Sequence, residues 1–166
     1  WIINNAFVHS ISWENIKFWF THNTLAGIGL QSNYYRPFLF FTFALNWIIS
    51  EAKPFLWHLV SNSIHIANAV LVFIILKRYM GQAVAFLTAL LFIIHPLNTE
   101  AVTYISGRGD PLSVLFILLS LWFYVNDAFS RKWRLAASLL LFILAVLSRE
   151  TGIIFPFLLM VFYIAF

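Results

Sequence analysis

The residues that could carry chemistry in this sequence are a few charged side chains set among long apolar stretches. Only 10% of the residues are charged, yet residues 95–110, HPLNTEAVTYISGRGD, hold a histidine and three charges between two apolar runs. Further charges occur in YYRPF (34–38) and LSRETG (147–152). The candidate binding residues are therefore Arg36, His95, Glu100, Arg108, Asp110, Arg149 and Glu150.

The three arginines of this set favour a binding site for an anionic group. A guanidinium group binds phosphate through paired hydrogen bonds. Arg108 lies between two glycines, and we expect it at the membrane surface, where contact with a phosphate suits it better than a buried packing role. Together with the three acids and nearby polar residues, the arginines would suit an anionic headgroup attached to a lipid.

Part of the polarity of residues 95–110 also has a structural explanation. Asn98 or Thr99 can cap a short helix, and Gly107 can end it. Asp110 precedes a proline, a common pattern at a helix start. Glu100 near a helix N-terminus would be stabilised by the helix dipole. For Asp110, a capping role therefore competes with a binding role.

The composition indicates an integral membrane protein. The chain is 62% hydrophobic and 19% aromatic, whereas soluble domains are near half apolar and a quarter charged. The formal net charge is +4, but the basic residues lie in short scattered clusters, so we expect no nucleic-acid partner. The chain has no cysteine, which excludes disulfides and thiolate metal sites within it.

The apolar runs predict an all-α, polytopic bundle of about five membrane-spanning helices, each about 20 residues long, with further helices at the outer membrane surface. A sixth run, 37–50, is too short for a full span, and we interpret it as a membrane-edge or re-entrant helix. The aromatic stretch 11–24 suits an interfacial helix. The predicted spans are 55–76, 80–97, 111–128, 133–148 and 151–166.

Basic residues predict the orientation of the bundle, because cytoplasmic loops collect Lys and Arg. The connections KRYMG (77–81) and SRKWR (130–134) contain no acid and are expected on the cytoplasmic side. Residues 95–110 and the SRETG turn then face the lumenal or periplasmic side. This assignment makes residues 1–53 an outer first-loop segment and residues 54–166 an incomplete transmembrane bundle within a longer protein.

The first predicted span carries polar residues at helical spacing. Intramembrane polar groups are costly and are therefore functional candidates. Two interpretations remain open: these groups hydrogen-bond neighbouring helices, or they line a polar cavity open to the outer side. The two histidines lack the spacing of a metal site. The polar stripe consists of His58, Ser61, Asn62, His65 and Asn68.

Four motifs occur in order and resemble those of a known family. They are YYRPF (34–38), HLVSNSIHIANAVLVFIILKRYMG (58–81), HPLNTEAVTYISGRGDPLS (95–113) and LSRETG (147–152). Together they resemble the membrane domain of GT-C glycosyltransferases. The resemblance is strongest to the transmembrane and tetratricopeptide-repeat-containing O-mannosyltransferases and their prokaryotic relatives.

The resemblance implies a polyprenyl-phosphate sugar donor, dolichyl-phosphate mannose in eukaryotes, and transfer to a protein hydroxyl or another glycoconjugate on the lumenal or periplasmic side. The membrane would be that of the endoplasmic reticulum in a eukaryote and the inner or plasma membrane in a prokaryote. In the family an acidic motif supplies the catalytic base, which we expect upstream of residue 1, so no catalytic residue is assigned. Some GT-C enzymes bind a divalent cation, and the resemblance allows one here.

Within that resemblance, each candidate binding residue has an expected role. The three arginines would stabilise the departing lipid phosphate, His95 would hydrogen-bond it, and Glu100 and Glu150 would orient the sugar or the arginines. The alternative is a non-catalytic membrane subunit that uses the same fold for scaffolding or lipid binding. A transporter is disfavoured because the polar residues form a one-sided stripe and not a continuous path.

Overall fold

The computed structural model describes residues 1–165, which form α-helices joined by turns and short 3-10 helices. The all-α prediction is confirmed for this part of the chain. The α-helices are α1 Trp13–Thr21, α2 Pro37–Ser50, α3 Pro54–Met80, α4 Gln82–Ile94, α5 Asn98–Thr103, α6 Gly109–Val125, α7 Arg131–Ser148 and α8 Phe155–Ala165. The 3-10 helices are Ala6–Val8, Ala26–Ile28, Ile105–Arg108 and Glu150–Ile154.

Two segments are long and apolar enough to cross a membrane by length and composition, namely Pro54–Met80 and Ile105–Val125. With 27 residues, α3 extends about 40 Å, more than the roughly 30 Å of a bilayer core. The shorter apolar helices are Pro37–Ser50, Gln82–Ile94 and Glu150–Ala165. All five helices predicted as spans form within a few residues of the expected bounds. That all five cross the membrane stays a prediction.

Helices α3, α6 and α7 form the centre of the bundle, with α4 against α3. Small polar residues join α6 to α7. The Ser120 hydroxyl donates to the Ser138 carbonyl at 2.7 Å, and the Ser113 hydroxyl donates to the Ala145 carbonyl at 3.1 Å. Small side chains let apolar helices approach closely, and their hydroxyls bond across the interface. The adjoining apolar cluster contains Ile75, Ile117, Leu121, Ala145 and Phe155.

The two basic connections lie at the same end of the bundle, as the sequence predicted. Asp127 forms ion pairs with Arg78 at the end of α3 and with Arg134 in the first turn of α7. The predicted span 111–128 extended too far at its C-terminal end, because α6 ends at Val125 and Asp127 lies in the following turn. A carboxylate is more stable beside two arginines at the helix ends than inside an apolar segment.

Residues 1–53 fold around an aromatic cluster. Both helices predicted in this segment contribute side chains to it. Helix α1 begins after Ser12, whose hydroxyl accepts a hydrogen bond from the Asn15 backbone N–H at 3.1 Å. The Trp19 indole N–H donates to the Phe7 carbonyl at 2.8 Å. The cluster consists of Val8, Trp19, Leu39, Phe40, Phe43, Ala44 and Trp57. The last of these belongs to α3, so the cluster joins this segment to the bundle.

An ion pair also attaches this segment to the bundle. Arg36, just before α2, contacts Glu150, just after α7, with a distance of 2.9 Å between Nη2 and Oε2. The Tyr35 backbone N–H donates to the same carboxylate at 3.2 Å. Partial burial acts to raise the pKa of Glu150, but the hydrogen bonds from Arg36 and the backbone outweigh it and hold that pKa below its ordinary value.

Arg108 lies in the interior, where residues 1–53 meet the bundle. The sequence predicted a surface position, whereas the structure buries this residue completely. Its guanidinium donates to Asn46 Oδ1 at 2.8 Å, to the Trp57 carbonyl at 3.0 Å and to the Ser61 hydroxyl at 3.2 Å. The rings of Phe43 and Trp57 lie 5.2 and 5.1 Å from the guanidinium carbon, and such faces attract cations. Arg108 thus joins α2 and α3 to the turn before α6.

Removing the Arg108 side chain should destabilise the fold. We expect Arg108→Ala to lower the free energy of unfolding by roughly 2–5 kcal/mol, the usual cost of truncating a large buried side chain. Arg108→Met should recover part of this loss, because its side chain fills the space beside Phe43. Unfolding of the full-length protein in detergent, with exposed Arg131→Met as the control, measures both. An Arg108→Ala variant as stable as the control would contradict the structural role.

The contact between Arg36 and Glu150 should weaken in acid. A carboxyl group whose pKa is depressed in the folded state contributes stability above its unfolded pKa, and this contribution is lost as the pH falls through the folded pKa. A double-mutant cycle of Arg36→Gln and Glu150→Gln should give a coupling energy of up to about 1 kcal/mol at neutral pH, since the pair is partly exposed. The coupling should decrease as the pH falls through the folded pKa of Glu150, because the carboxylate becomes protonated. A coupling that does not decrease in acid, or that a Glu14→Gln control reproduces, would contradict the assignment.

Candidate functional site

Three of the predicted binding residues meet in one cavity, which we call the charged cavity and define by Glu100, Asp110 and Arg149. It has a volume of about 540 Å³, within the range of ligand sites, roughly 300–1,000 Å³. Helix α5 contributes Glu100, the start of α6 contributes Asp110, and the residue after α7 is Arg149. The remaining wall includes Leu97, Asn98, Ala101, Tyr104, Ser106, Gly107 and Val114.

Two glycines allow the backbone contacts that build this cavity. A Cβ atom at Gly109 would lie 3.2 Å from the Ser148 carbonyl oxygen, so the start of α6 can pack directly against the end of α7. A Cβ atom at Gly152 would lie 2.7 Å from the Ala145 carbonyl carbon, too close for any larger residue. The chain after α7 therefore folds back along that helix and keeps Arg149 beside Asp110.

The local structure around Asp110 differs from the prediction. Helix α6 begins at Gly109, which places Asp110 in its first turn and not at the N-cap. Its carboxylate forms an ion pair with Arg149. The other capping predictions are also wrong: the Asn98 side chain donates to the Phe92 carbonyl at 2.6 Å, and Gly107 lies in a 3-10 helix. Tertiary contacts outweigh the local capping preferences here.

The electrostatics of the cavity depend on Arg149. Burial lowers its pKa below the ordinary value, and the nearby charge of Arg36 acts in the same direction. Both side chains of the pair with Asp110 remain partly exposed, 29% for Arg149 and 37% for Asp110. The Glu100 side chain is exposed at the cavity. A guanidinium held by one carboxylate and open to solvent can accept an additional anionic ligand.

The other predicted binding residues do not line the charged cavity. Arg108 is buried, as described above. His95 is exposed at the end of α4, where its Nδ1 accepts a hydrogen bond from the Leu97 backbone N–H at 3.2 Å. Arg36 and Glu150 form their own ion pair beside the cavity. The structure thus assembles part of the predicted set and separates the rest.

The polar stripe of α3 divides into three environments. Ser61, His65 and Asn68 are buried between helices. Asn68 donates to the Pro111 carbonyl at 2.8 Å, and His65 Nε2 lies 3.2 Å from the Ile93 carbonyl oxygen. These contacts fit the interpretation that the stripe joins helices. By contrast, Asn62 is exposed and His58 is half-buried.

His58 lines a second cavity, the aromatic cavity, which we define by Trp47, Trp57 and His58. It has a volume of about 430 Å³. Tyr104 and Ser106 line both this cavity and the charged cavity. Neither residue is charged, and the sequence carries no signal that distinguishes either as a cavity residue. Only their position between α5 and α6 reveals that they separate the two cavities.

The acids of the charged cavity do not form an evident metal site. Within residues 1–165 no group of three or more His, Cys, Asp or Glu side chains is arranged to hold a metal ion. Asp110 is already paired with Arg149. The described residues therefore supply no complete set of ligands for the divalent cation that the family resemblance allowed.

Comparison with known proteins tests the family assignment. The family described as dolichyl-phosphate-mannose-protein mannosyltransferase matches residues 55–166. Protein O-mannosyl-transferase TMTC3 of Homo sapiens is 34% identical over 123 residues, covering 72% of this chain and 13% of that protein. TMTC1 of Homo sapiens is 36% identical over 148 residues, covering 79% and 17%. Protein O-mannosyl-transferase tmtc2 of Xenopus laevis is 35% identical over 138 residues, covering 81% and 16%.

These matches cover most of this chain but a small part of each relative. The chain spans 13% of the length of human TMTC3 and 17% of that of human TMTC1. No solved structure matches the chain. The matched residues 55–166 include the three residues that define the charged cavity. The family resemblance stated from the motifs is confirmed. The chain belongs to the dolichyl-phosphate-mannose-protein mannosyltransferase family.

Proposed function

We propose that this chain forms part of a membrane-bound O-mannosyltransferase, and that the charged cavity binds the phosphate and sugar of a polyprenyl-phosphate-linked mannose. Family membership supports the reaction class, since the matched relatives are named protein O-mannosyl-transferases. The observation that carries the site assignment is the partly buried Arg149 in a cavity that also holds Glu100 and Asp110. This combination suits a donor with an anionic phosphate and a hydroxyl-rich sugar.

The proposed reaction breaks the bond between the anomeric carbon of mannose and the phosphate oxygen. An acceptor hydroxyl forms the new bond to that carbon and loses its proton to a carboxylate base, a role that no residue is assigned here. The phosphate leaves with the electron pair of the broken bond. Arg149 donates hydrogen bonds to it, and a donor already fixed in place stabilises this charge without reorganisation.

The neighbouring residues have supporting roles in this proposal. Glu100, exposed at the cavity, accepts hydrogen bonds from sugar hydroxyls. Asp110 holds the Arg149 guanidinium in position, and the pair of Arg36 and Glu150 fixes the backbone beside it. Arg108 acts through the structure, because its hydrogen bonds hold the turn that leads into α6. No step uses a divalent cation, and His95 has no assigned step.

In the proposed orientation, the charged cavity lies on the lumenal or periplasmic side of the membrane. Residues 1–53 lie on that side as an outer segment, and residues 54–166 contribute the membrane bundle. The Asp127 end of the bundle, with its excess of arginines, faces the cytoplasm. The acceptor is a protein hydroxyl that reaches the cavity from the outer side.

Replacing Arg149 should reduce transfer from dolichyl-phosphate mannose. We expect Arg149→Gln to lower kcat/KM by about a hundredfold, as for the loss of one transition-state hydrogen-bond donor. Arg149→Lys should be intermediate, because it keeps the charge but not the paired geometry. Glu100→Gln should raise KM for the donor. Steady-state transfer by the full-length protein, with exposed Lys17→Gln as control, measures these effects. Wild-type kcat/KM in Arg149→Gln would contradict the site assignment.

The proposed orientation of the helix bundle in the membrane can be tested separately by cysteine labelling. We expect a cysteine at exposed Leu97 to react with an impermeant maleimide added from the lumenal or periplasmic side. A cysteine at Arg131 should react only from the cytoplasmic side. The chain contains no native cysteine to interfere, and cysteines elsewhere in the full-length protein would be replaced first. Labelling of Leu97→Cys from the cytoplasmic side would overturn the proposed topology.

A further inference from the structure

A third cavity lies at the other end of the bundle, and the proposed reaction does not use it. We call it the arginine cavity and define it by Arg78, Arg131 and Arg134. Its volume is about 370 Å³. Arg131 begins α7 and Arg149 follows the end of that helix, whose 18 residues extend about 27 Å. The arginine cavity is therefore separated from the charged cavity by the length of α7.

The arginine cavity carries an excess of positive charge. Three arginines line it with a single carboxylate, that of Asp127. Asp127 pairs with Arg78 and Arg134, whereas the Arg131 side chain makes no hydrogen bond or ion pair within residues 1–165. Arg78 also donates to the Val125 carbonyl at 2.8 Å. Two guanidinium groups are thus held in place, and a third remains available to a ligand.

The other wall of the arginine cavity is apolar. Leu159, Phe162 and Tyr163 from α8 line it, together with Leu135 from α7. The apolar surface continues along α8, where the Tyr163 and Ile164 side chains are 82% and 76% exposed. Fixed cations therefore lie directly beside a surface suited to hydrocarbon chains. A ligand that combines a phosphate with acyl chains would contact both.

We propose that the arginine cavity binds the phosphate headgroup of an anionic phospholipid, whose acyl chains lie along α8. Basic pockets between transmembrane helices are known to bind anionic lipid headgroups. Guanidinium groups suit this role because their paired N–H groups match two phosphate oxygens. A free phosphate ion would satisfy the arginines but would make no contact with the exposed Tyr163 and Ile164 side chains. This proposal does not depend on the proposed transferase activity.

The test uses the full-length protein purified in a neutral detergent, with short-chain phosphatidic acid as the probe. Saturable binding is followed by native mass spectrometry and by a fluorescence titration. Short-chain phosphatidylcholine tests for the need of an anionic headgroup, and inorganic phosphate tests for the need of the acyl chains. The decisive variant is Arg131→Gln, because this side chain has no structural contact whose loss would disturb folding.

The matched control is Lys132→Gln. It removes the same charge from the adjacent residue, which does not line the arginine cavity. It therefore measures how much lipid binding is lost through the lower net charge alone. We expect Arg131→Gln to weaken phosphatidic acid binding about five- to tenfold, near the contribution of one basic residue at an anionic lipid surface. Lys132→Gln should change it less than about twofold.

Three outcomes would overturn the proposal. Equal losses in the two variants would mean that the connection attracts anionic lipids only through its net charge. Inorganic phosphate that competes with phosphatidic acid at similar affinity would show an ion site without a lipid component. Absence of saturable phosphatidic acid binding to the wild-type protein would exclude the site. Stronger binding of phosphatidic acid than of either comparison compound, sensitive to Arg131 and not to Lys132, would support it.

Discussion

A positive charge in an apolar interior must be compensated by polar or aromatic groups, and the packing of this chain depends on meeting that requirement at Arg108. Its guanidinium has no carboxylate partner within residues 1–165 and is held by Asn46, Ser61 and the Trp57 carbonyl, beside aromatic rings. These groups come from α2 and α3. Because transferring an unpaired charge from water is costly, these helices and the turn before α6 constrain one another.

The same requirement explains the placement of the other charges. Arg149 pairs with Asp110, and Arg36 pairs with Glu150. The pairs join residues that are distant in the chain, so each also links two elements of the fold. At the charged cavity this linkage is compatible with binding, since the ion pair between Arg149 and Asp110 stays partly exposed. The arginine cavity differs because its three arginines outnumber its single acid, which orients two of them.

The sequence predicted the helices well because long apolar runs have few alternatives in a membrane. Backbone groups in lipid must bond within their own segment, and helices satisfy this condition. The positions of α3, α6 and α7 followed from that argument. The sequence predicted one binding site for all seven charged or histidine candidates, because they flank apolar runs expected to end on the same side. Which residues of the predicted set would share a cavity was not predictable from spacing.

The incorrect and missing predictions for individual residues have a common physical cause, namely contacts that the local sequence does not indicate. Arg108 was expected at the surface because its flanking glycines indicate an exposed turn, and nothing in the local sequence indicates that Asn46 and Trp57 would surround it. Asp110 was expected as a helix cap because capping preferences are local. In the structure, Gly109 packs closely against Ser148, which brings Arg149 within ion-pair distance of Asp110. Tyr104 and Ser106 were overlooked because uncharged residues between two cavities have no distinctive pattern.

By itself the sequence determined the helical class, the family and the ends of the bundle at which charges collect, since these follow from apolar run length, motif order and the positions of basic residues. The tertiary structure decided which charges are paired, which are buried and which remain open to a ligand. Those properties depend on distances between residues far apart in the chain, such as Arg36 and Glu150. Only packing of the helices sets these distances.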